Sequence, residues 1–161
     1  MRLKRSRLKT YSVKKHITEK DSEGNTYEIW SEAAAMLSAE IWPASGKVQT
    51  EMYGERLPYI RNVRINGKYC VAYDEKGMVH YLVEGTGGSQ DAYAVKDGEN
   101  YRSPQGVLLT VLEAADRLPS SLIDLQELDG LFLYTGIGAG PDYKIISIRP
   151  ERFIRLEAEK I

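Results

Sequence analysis

The chain has a single cysteine, Cys70, among 161 residues, and that excludes an internal disulfide. Cys70 sits in the apolar context Tyr69-Cys70-Val71 with no second cysteine to share a metal, so a buried, unreactive thiol is expected. Histidine is nearly as scarce. His16 and His80 both fall in strand-like segments, and neither has a companion at metal-ligand spacing, which points to half-exposed strand positions and to no metal site. Long hydrophobic runs are missing as well: none approaches the roughly 18 to 20 residues of a membrane-crossing helix, and the basic start is not followed by a signal-peptide core. The expectation is a cytoplasmic protein with no membrane partner.

Acidic residues are absent from the first eighteen positions. Arg2, Lys4, Arg5, Arg7, Lys9, Lys14 and Lys15 precede the first acid, Glu19. The net charge of −1 therefore hides a basic arm, residues 1–8, on a body whose own balance is acidic: beyond residue 15 there are 15 basic against 23 acidic residues, a balance of −8. Such an arm suits phosphates or an acidic neighbour. Arg2, Lys4, Arg5 and Arg7 are its candidate docking residues.

The motifs of catalysis and cofactor binding are also lacking. Gly136-Ile137-Gly138-Ala139-Gly140 resembles a dinucleotide loop, but Pro141-Asp142 and then a strand follow it, whereas phosphate binding needs the glycines to open a helix. Gly85-Thr86-Gly87-Gly88 lacks the Gly-Lys-Ser/Thr ending of a phosphate loop and reads as a flexible connection. No nucleophile elbow selects a serine, and Asp74-Glu75 sits where turn chemistry accounts for it. The sequence thus points away from an enzyme and calls for no cofactor.

What is present is β-pattern. Lys9 to Thr18 alternates, Glu23-Gly24-Asn25 turns it, and Thr26 to Trp30 returns. Ala33-Ala34-Ala35 suits the start of a helical turn, after which Met36 to Trp42 alternates again. Asn66-Gly67 between Asn62–Ile65 and Lys68–Tyr73 supplies the positive φ values of a type I′ turn and predicts a hairpin. Asp74 to Gly77 turns into Val79–Val83, and Tyr143–Ile148 and Arg152–Glu159 flank Arg149-Pro150. Short strands at this spacing favour a small antiparallel β-barrel, assigned to residues 9–84 and 131–161 of a single, mainly β domain. Eleven tyrosines against two phenylalanines suit half-buried barrel faces and interfaces.

Residues 85–130 break that rhythm and predict an insertion with two short helices within about 103–129. Ser103-Pro104 opens the first, with Leu108, Val111, Leu112, Ala115 and Leu118 on one face, and Pro119 stops it. The second is Leu122 to Leu128, with a weak capping signal from Ser121 and Asp124.

EIWPASGKVQTEMYGERLPYIRN (residues 40–62), NGKYCVAYDEKGMVHYLV (66–83) and PDYKIISIRPERFIRLEAEK (141–160), after an early Tyr-x-Val strand, together resemble the head-tail connector proteins of long-tailed phages and Firmicutes prophages, also called head-completion or stopper proteins. The resemblance covers residues 8–84 and 141–160 and carries no catalytic signature. It implies a structural virion protein: a β-barrel subunit that assembles as a homo-oligomeric ring, a hexamer or dodecamer, between phage portal or adaptor and tail proteins. DNA would pass through the ring without specific binding. A long barrel loop would line and help close that channel. Here the loop is Ala44 to Leu57, in which Lys47, Gln49, Glu51 and Tyr53 alternate with Val48, Thr50 and Met52 as an extended ribbon, followed by Glu55 and Arg56. An acidic body agrees with DNA that must slide, since each neutralised phosphate adds salt-dependent affinity.

Two other readings stand beside it. A monomeric nucleic-acid-binding β-barrel would use Lys9, Tyr11, Lys14 and Lys15 as its face. An enzyme assembled from scattered residues would show a deep polar pocket holding a strongly perturbed titrating group.

Overall fold

Apolar and polar alternation becomes strand over most of the chain. The structure, a computed structural model, describes residues 7–112 and 118–161. Strands β1 (Lys9–Lys14), β2 (His16–Lys20), β3 (Thr26–Trp30) and β4 (Ala35–Pro43) lead to one short helix, α1 (Lys47–Tyr53). Next come β5 (Ile60–Asn66), β6 (Tyr69–Tyr73), β7 (Val79–Val83), β8 (Gly87–Gly88), β9 (Tyr93–Asp97), β10 (Asn100–Arg102) and β11 (Leu108–Val111). The chain ends with β12 (Ser121–Leu125), β13 (Gly130–Phe132), β14 (Tyr143–Pro150) and β15 (Ile154–Lys160).

The strands form two antiparallel barrels in one mainly β structure. β6, β7, β9, β10, β11 and β12 close into a six-stranded barrel. The larger sheet runs β1-β13-β14-β15-β5-β4, and β4 pairs back with β1 from Lys9↔Ala39 to Val13↔Ala35, so these pairings close a second circuit of six. β2 and β3 stand outside both as a separate hairpin with His16 opposite Trp30.

The helical insertion expected at about 103–129 is corrected. Leu108–Val111 and Ser121–Leu125 are strands, and four of the six strands of the closed barrel come from residues 93–125. The expected face of Leu108, Val111, Leu112 and Leu118 does not form: Leu109 is fully buried while Leu112 is 73% exposed. Ala115 lies outside the described residues. Short apolar runs are ambiguous in period, and here the open edges of β6, β7, β9 and β10 capture them as strands. β12 is buried on both faces: Leu122 packs with Cys70, Leu82, Ala94, Tyr101 and Leu109 in one core, while Ile123 and Leu125 join Val83 and Tyr93 in the core of the other barrel. Burial on two sides gives Leu122-Ile123-Asp124-Leu125, which lacks the alternation of a half-exposed strand and resembles a helical segment in sequence.

Asn66-Gly67 is not a hairpin. Both edges of β5 are taken by β4 and β15, and those of β6 by β7 and β11, so β5 and β6 belong to different barrels and this dipeptide is the crossover between them. Gly67 keeps its role for a different reason: a Cβ there would stand 3.2 Å from the Glu84 side chain. The expected flexible connection at residues 85–89 is also structured, because β8 pairs with Ala35 and Met36. Ala33 to Ala35 enters β4 directly, without a helical turn. The hairpins β6–β7 and β14–β15 stand where the sequence placed them, whereas the single strand expected over Lys9–Thr18 divides at Lys15 into β1, which pairs with β4 and β13, and β2, which alone pairs with β3. Cys70 is buried, as expected.

Candidate functional site

Within the expected loop Ala44 to Leu57, the chain is helical from Lys47 on, through to Tyr59, not an extended ribbon. α1 is followed by a 3-10 turn over Gly54–Tyr59, and positive-φ glycines, Gly46 (φ 89) and Gly54 (φ 55), bound the helix. A period of two had set Gln49 and Tyr53 outward with Lys47 and Glu51. At about 100° per residue, residues four apart share a face, so Gln49 and Tyr53 turn inward together while Val48 and Met52 share the outer face. Lys47, Glu51, Glu55 and Arg56 are exposed and Tyr53 is half-buried. Val48 is 68% and Met52 52% exposed, whereas Gln49 is buried.

Gln49 is the anchor that sequence reasoning assigned to a channel. Its Nε2 donates to Asn62 Oδ1 at 2.6 Å and to Glu157 Oε2 at 2.9 Å, and its Oε1 accepts from the Ser45 amide at 3.0 Å. Glu157 is fully buried and also accepts from Arg149 Nη2 at 2.9 Å. Burial alone would raise its carboxyl, but the bonds from Gln49 and Tyr53 and the charge and bond of Arg149 outweigh that and hold it below its ordinary value. Burial, with the Glu157 bond, pushes the Tyr53 hydroxyl up to about 12. Arg56 grips Glu159 through Nε at 2.8 Å and Nη2 at 2.6 Å, fixing the far end of the segment to β15. The segment is thus tied to the barrel at its base, and its outer surface carries Val48 and Met52 among the charged side chains of Lys47, Glu51 and Glu55.

Of the basic arm, Arg7 is exposed; Arg2, Lys4 and Arg5 lie outside the described residues. The nucleic-acid face proposed around it does not assemble as drawn. Tyr11 is buried in the core, and the Lys15 ammonium sits 3.2 Å from Asp129 Oδ2 and 3.4 Å from Asp124 Oδ2.

That lysine belongs to a buried charged cluster with no motif behind it. His80 is not half-exposed: it is buried, with Nδ1 2.8 Å from Asp124 Oδ1 and Nε2 3.0 Å from Asp74 Oδ2. Both ring nitrogens face carboxylate oxygens, an arrangement that favours the charged ring over the neutral one, while the Gln126 side-chain nitrogen stands 3.2 Å from Nε2. Burial works against that charge, but the bond and charge of Asp124 and the bond of Asp74 prevail and raise the His80 pKa. The His80 bond lowers that of Asp74. Asp129 is pushed up by burial, against Lys15 and the amides of His16 and Gln126. The spacing from Asp74 to His80 was legible as a turn followed by a strand; the meeting with Asp124, 44 residues away, was not.

Beside the cluster lies a cavity of about 360 Å³ between the β2–β3 hairpin and the two barrels. Asp124 and Lys15 line it together with Ile17, Ile29 and Trp30, and Glu19, Glu32 and Asp91 are exposed along it. Among the described residues no helix is long and apolar enough to cross a membrane.

No family model matches the chain, no curated protein matches its sequence, and no solved structure matches its fold.

Proposed function

We propose that the chain is a structural head-tail connector subunit of a phage or prophage, self-associating into a ring that joins the portal complex to the tail and helps close the DNA channel. The observation that carries this reading is the α1 segment: Gln49 and Arg56 tie it to the barrel, while its outer surface offers Val48 and Met52 to a neighbour. An exposed apolar pair on a rigid base is suited to protein contact. The segment acts as a fixed contact element rather than an exchanging ribbon. The rival reading as a monomeric DNA-binding barrel is weakened by the burial of Tyr11 and the neutralisation of Lys15.

Electron microscopy of the purified chain, alone at high concentration and mixed with a phage portal complex, tests the reading. Rings with a central channel, and no retention of DNA at physiological salt, are the expected result. A persistent monomer that binds DNA tightly and loses it steeply with salt overturns it.

A further inference from the structure

The cavity between the β2–β3 hairpin and the barrels joins an apolar body to two polar ends. Val13 of β1, Ile17, Ile29 and Trp30 of the hairpin and Ile123 of β12 give it apolar walls. Its inner end is Asp124, whose side chain is only 2% exposed. Oδ1 is held by His80, while Oδ2 faces Lys15 on the cavity wall at 3.4 Å and accepts no hydrogen bond among the described residues. A ligand group that donates to such a buried, unmatched acceptor gains affinity by doing so. The donor it calls for is neutral. Lys15 and His80 already balance Asp74 and Asp124, and burial raises the pKa of Asp129, so a further cation there would meet the Lys15 ammonium with little surplus charge to hold it. The outer end differs: Glu19, Glu32 and Asp91 are exposed along it, and among the described residues Lys15 is the one basic side chain that lines the cavity.

We propose that this cavity binds a small heteroaromatic amine, with a planar ring whose N–H donates to Asp124 Oδ2 and a short cationic tail that lies among Glu19, Glu32 and Asp91. The volume of about 360 Å³ suits one bicyclic ring and its tail, at the lower end of the range of small-molecule sites. Trp30, Ile17 and Ile29 supply the apolar surface against which such a ring packs. Phosphates and carboxylates are repelled by the outer acids. The chain's own basic arm lacks the inner group: Arg2, Lys4 and Arg5 bring cations and Leu3 no donor, and the hydroxyl of Ser6 precedes β1 at the end opposite Val13 and Lys15. No residue of α1 lines the cavity, so the site goes beyond the connector reading and does not rest on it.

Titration of the isotopically labelled full chain with tryptamine, followed by NMR, tests the site. Saturable shifts centred on Ile17, Ile29, Trp30 and Ile123 are expected, with a dissociation constant of about 1 mM or below. The benzothiophene analogue of tryptamine, which has sulfur in place of the ring N–H, and indolepropionate, which keeps the ring but reverses the charge of the tail, should each bind about tenfold more weakly or worse. Asp124→Asn should erase the advantage over the benzothiophene analogue. Glu32→Gln with Asp91→Asn, a pair of exposed positions that leaves the core untouched, should weaken tryptamine about threefold or more. No saturable binding, an affinity for tryptamine no greater than for either comparator, or indifference to the exposed pair overturns the inference. Binding that appears only in a chain carrying Arg2→Ala, Lys4→Ala and Arg5→Ala also overturns it, and assigns the cavity to the arm.

Discussion

His80 and Asp124 meet across the β7–β12 pair, with Nδ1 2.8 Å from Oδ1 and both side chains buried. On the other ring nitrogen stands Asp74, and beyond Asp124 stands Lys15, with the Gln126 amide 3.2 Å from Nε2. This chain of alternating charges ties a hairpin turn of the closed barrel to the end of β1 in the other. Each charge here is tolerable only because its partner is present, since an unpaired buried charge costs several kcal/mol.

The His80 pKa is raised, so its stabilising contribution is complete below the unfolded value of about 6.5 and is lost as pH rises through the folded value. His80→Gln should cost about 3 kcal/mol at pH 6 and progressively less towards pH 9. Urea midpoints of both proteins across that range check it; a difference that does not change with pH shows that His80 is not charged in the native state.

Gln49→Ala removes the donor that Glu157 and Asn62 share. The expected loss is about 1–3 kcal/mol, with cleavage by a protease appearing first between residues 47 and 59. Because Glu157 is held below its ordinary value, its contribution is present above pH ~4.3 and is lost as pH falls through the folded value. The deficit of the variant should therefore be full at neutral pH and shrink as pH falls through that value. Unchanged stability at neutral pH would remove Gln49 as the anchor.

Val48→Asp with Met52→Glu changes only the outer face of α1. Stability should stay within about 0.5 kcal/mol of the parent. Sedimentation should show loss of self-association at concentrations where the parent assembles. Assembly that survives both charges assigns the ring contact to another surface.

Gly85→Ala should destabilise by about 1–3 kcal/mol through overpacking. A Cβ there would stand 2.1 Å from Tyr93 Oη and 2.7 Å from Ile123 Cδ1, in the layer between the barrels. Thermal melting checks this. A neutral result would return residues 85–89 to the flexible connection expected from composition.

Local signals were legible where neighbours in sequence are neighbours in space. The β6–β7 turn at Asp74–Gly77 illustrates this: Asp74 Oδ1 accepts from the amides of Lys76 and Met78 at 2.9 Å each, a bond pattern set by residues only two and four apart. Asn66-Gly67 carries an equally strong local signal and misled, because turn chemistry permits a hairpin without saying which edges are free. Val48, Thr50 and Met52 misled differently. Their alternation fits a ribbon, yet one buried amide, that of Gln49, finds its partners only when the backbone coils.

The sequence by itself determined a mainly β chain, its outer hairpins, its buried lone cysteine and the separation of a basic arm from an acidic body. These follow from composition and from patterns of period two, which act within a few residues. Only the tertiary structure decided that two barrels form rather than one, that β12 is buried on both faces, and that Lys15, Asp74, His80, Asp124 and Asp129 converge. Strand pairing and burial join residues tens of positions apart, and the energy that selects among such pairings belongs to contacts no local pattern contains.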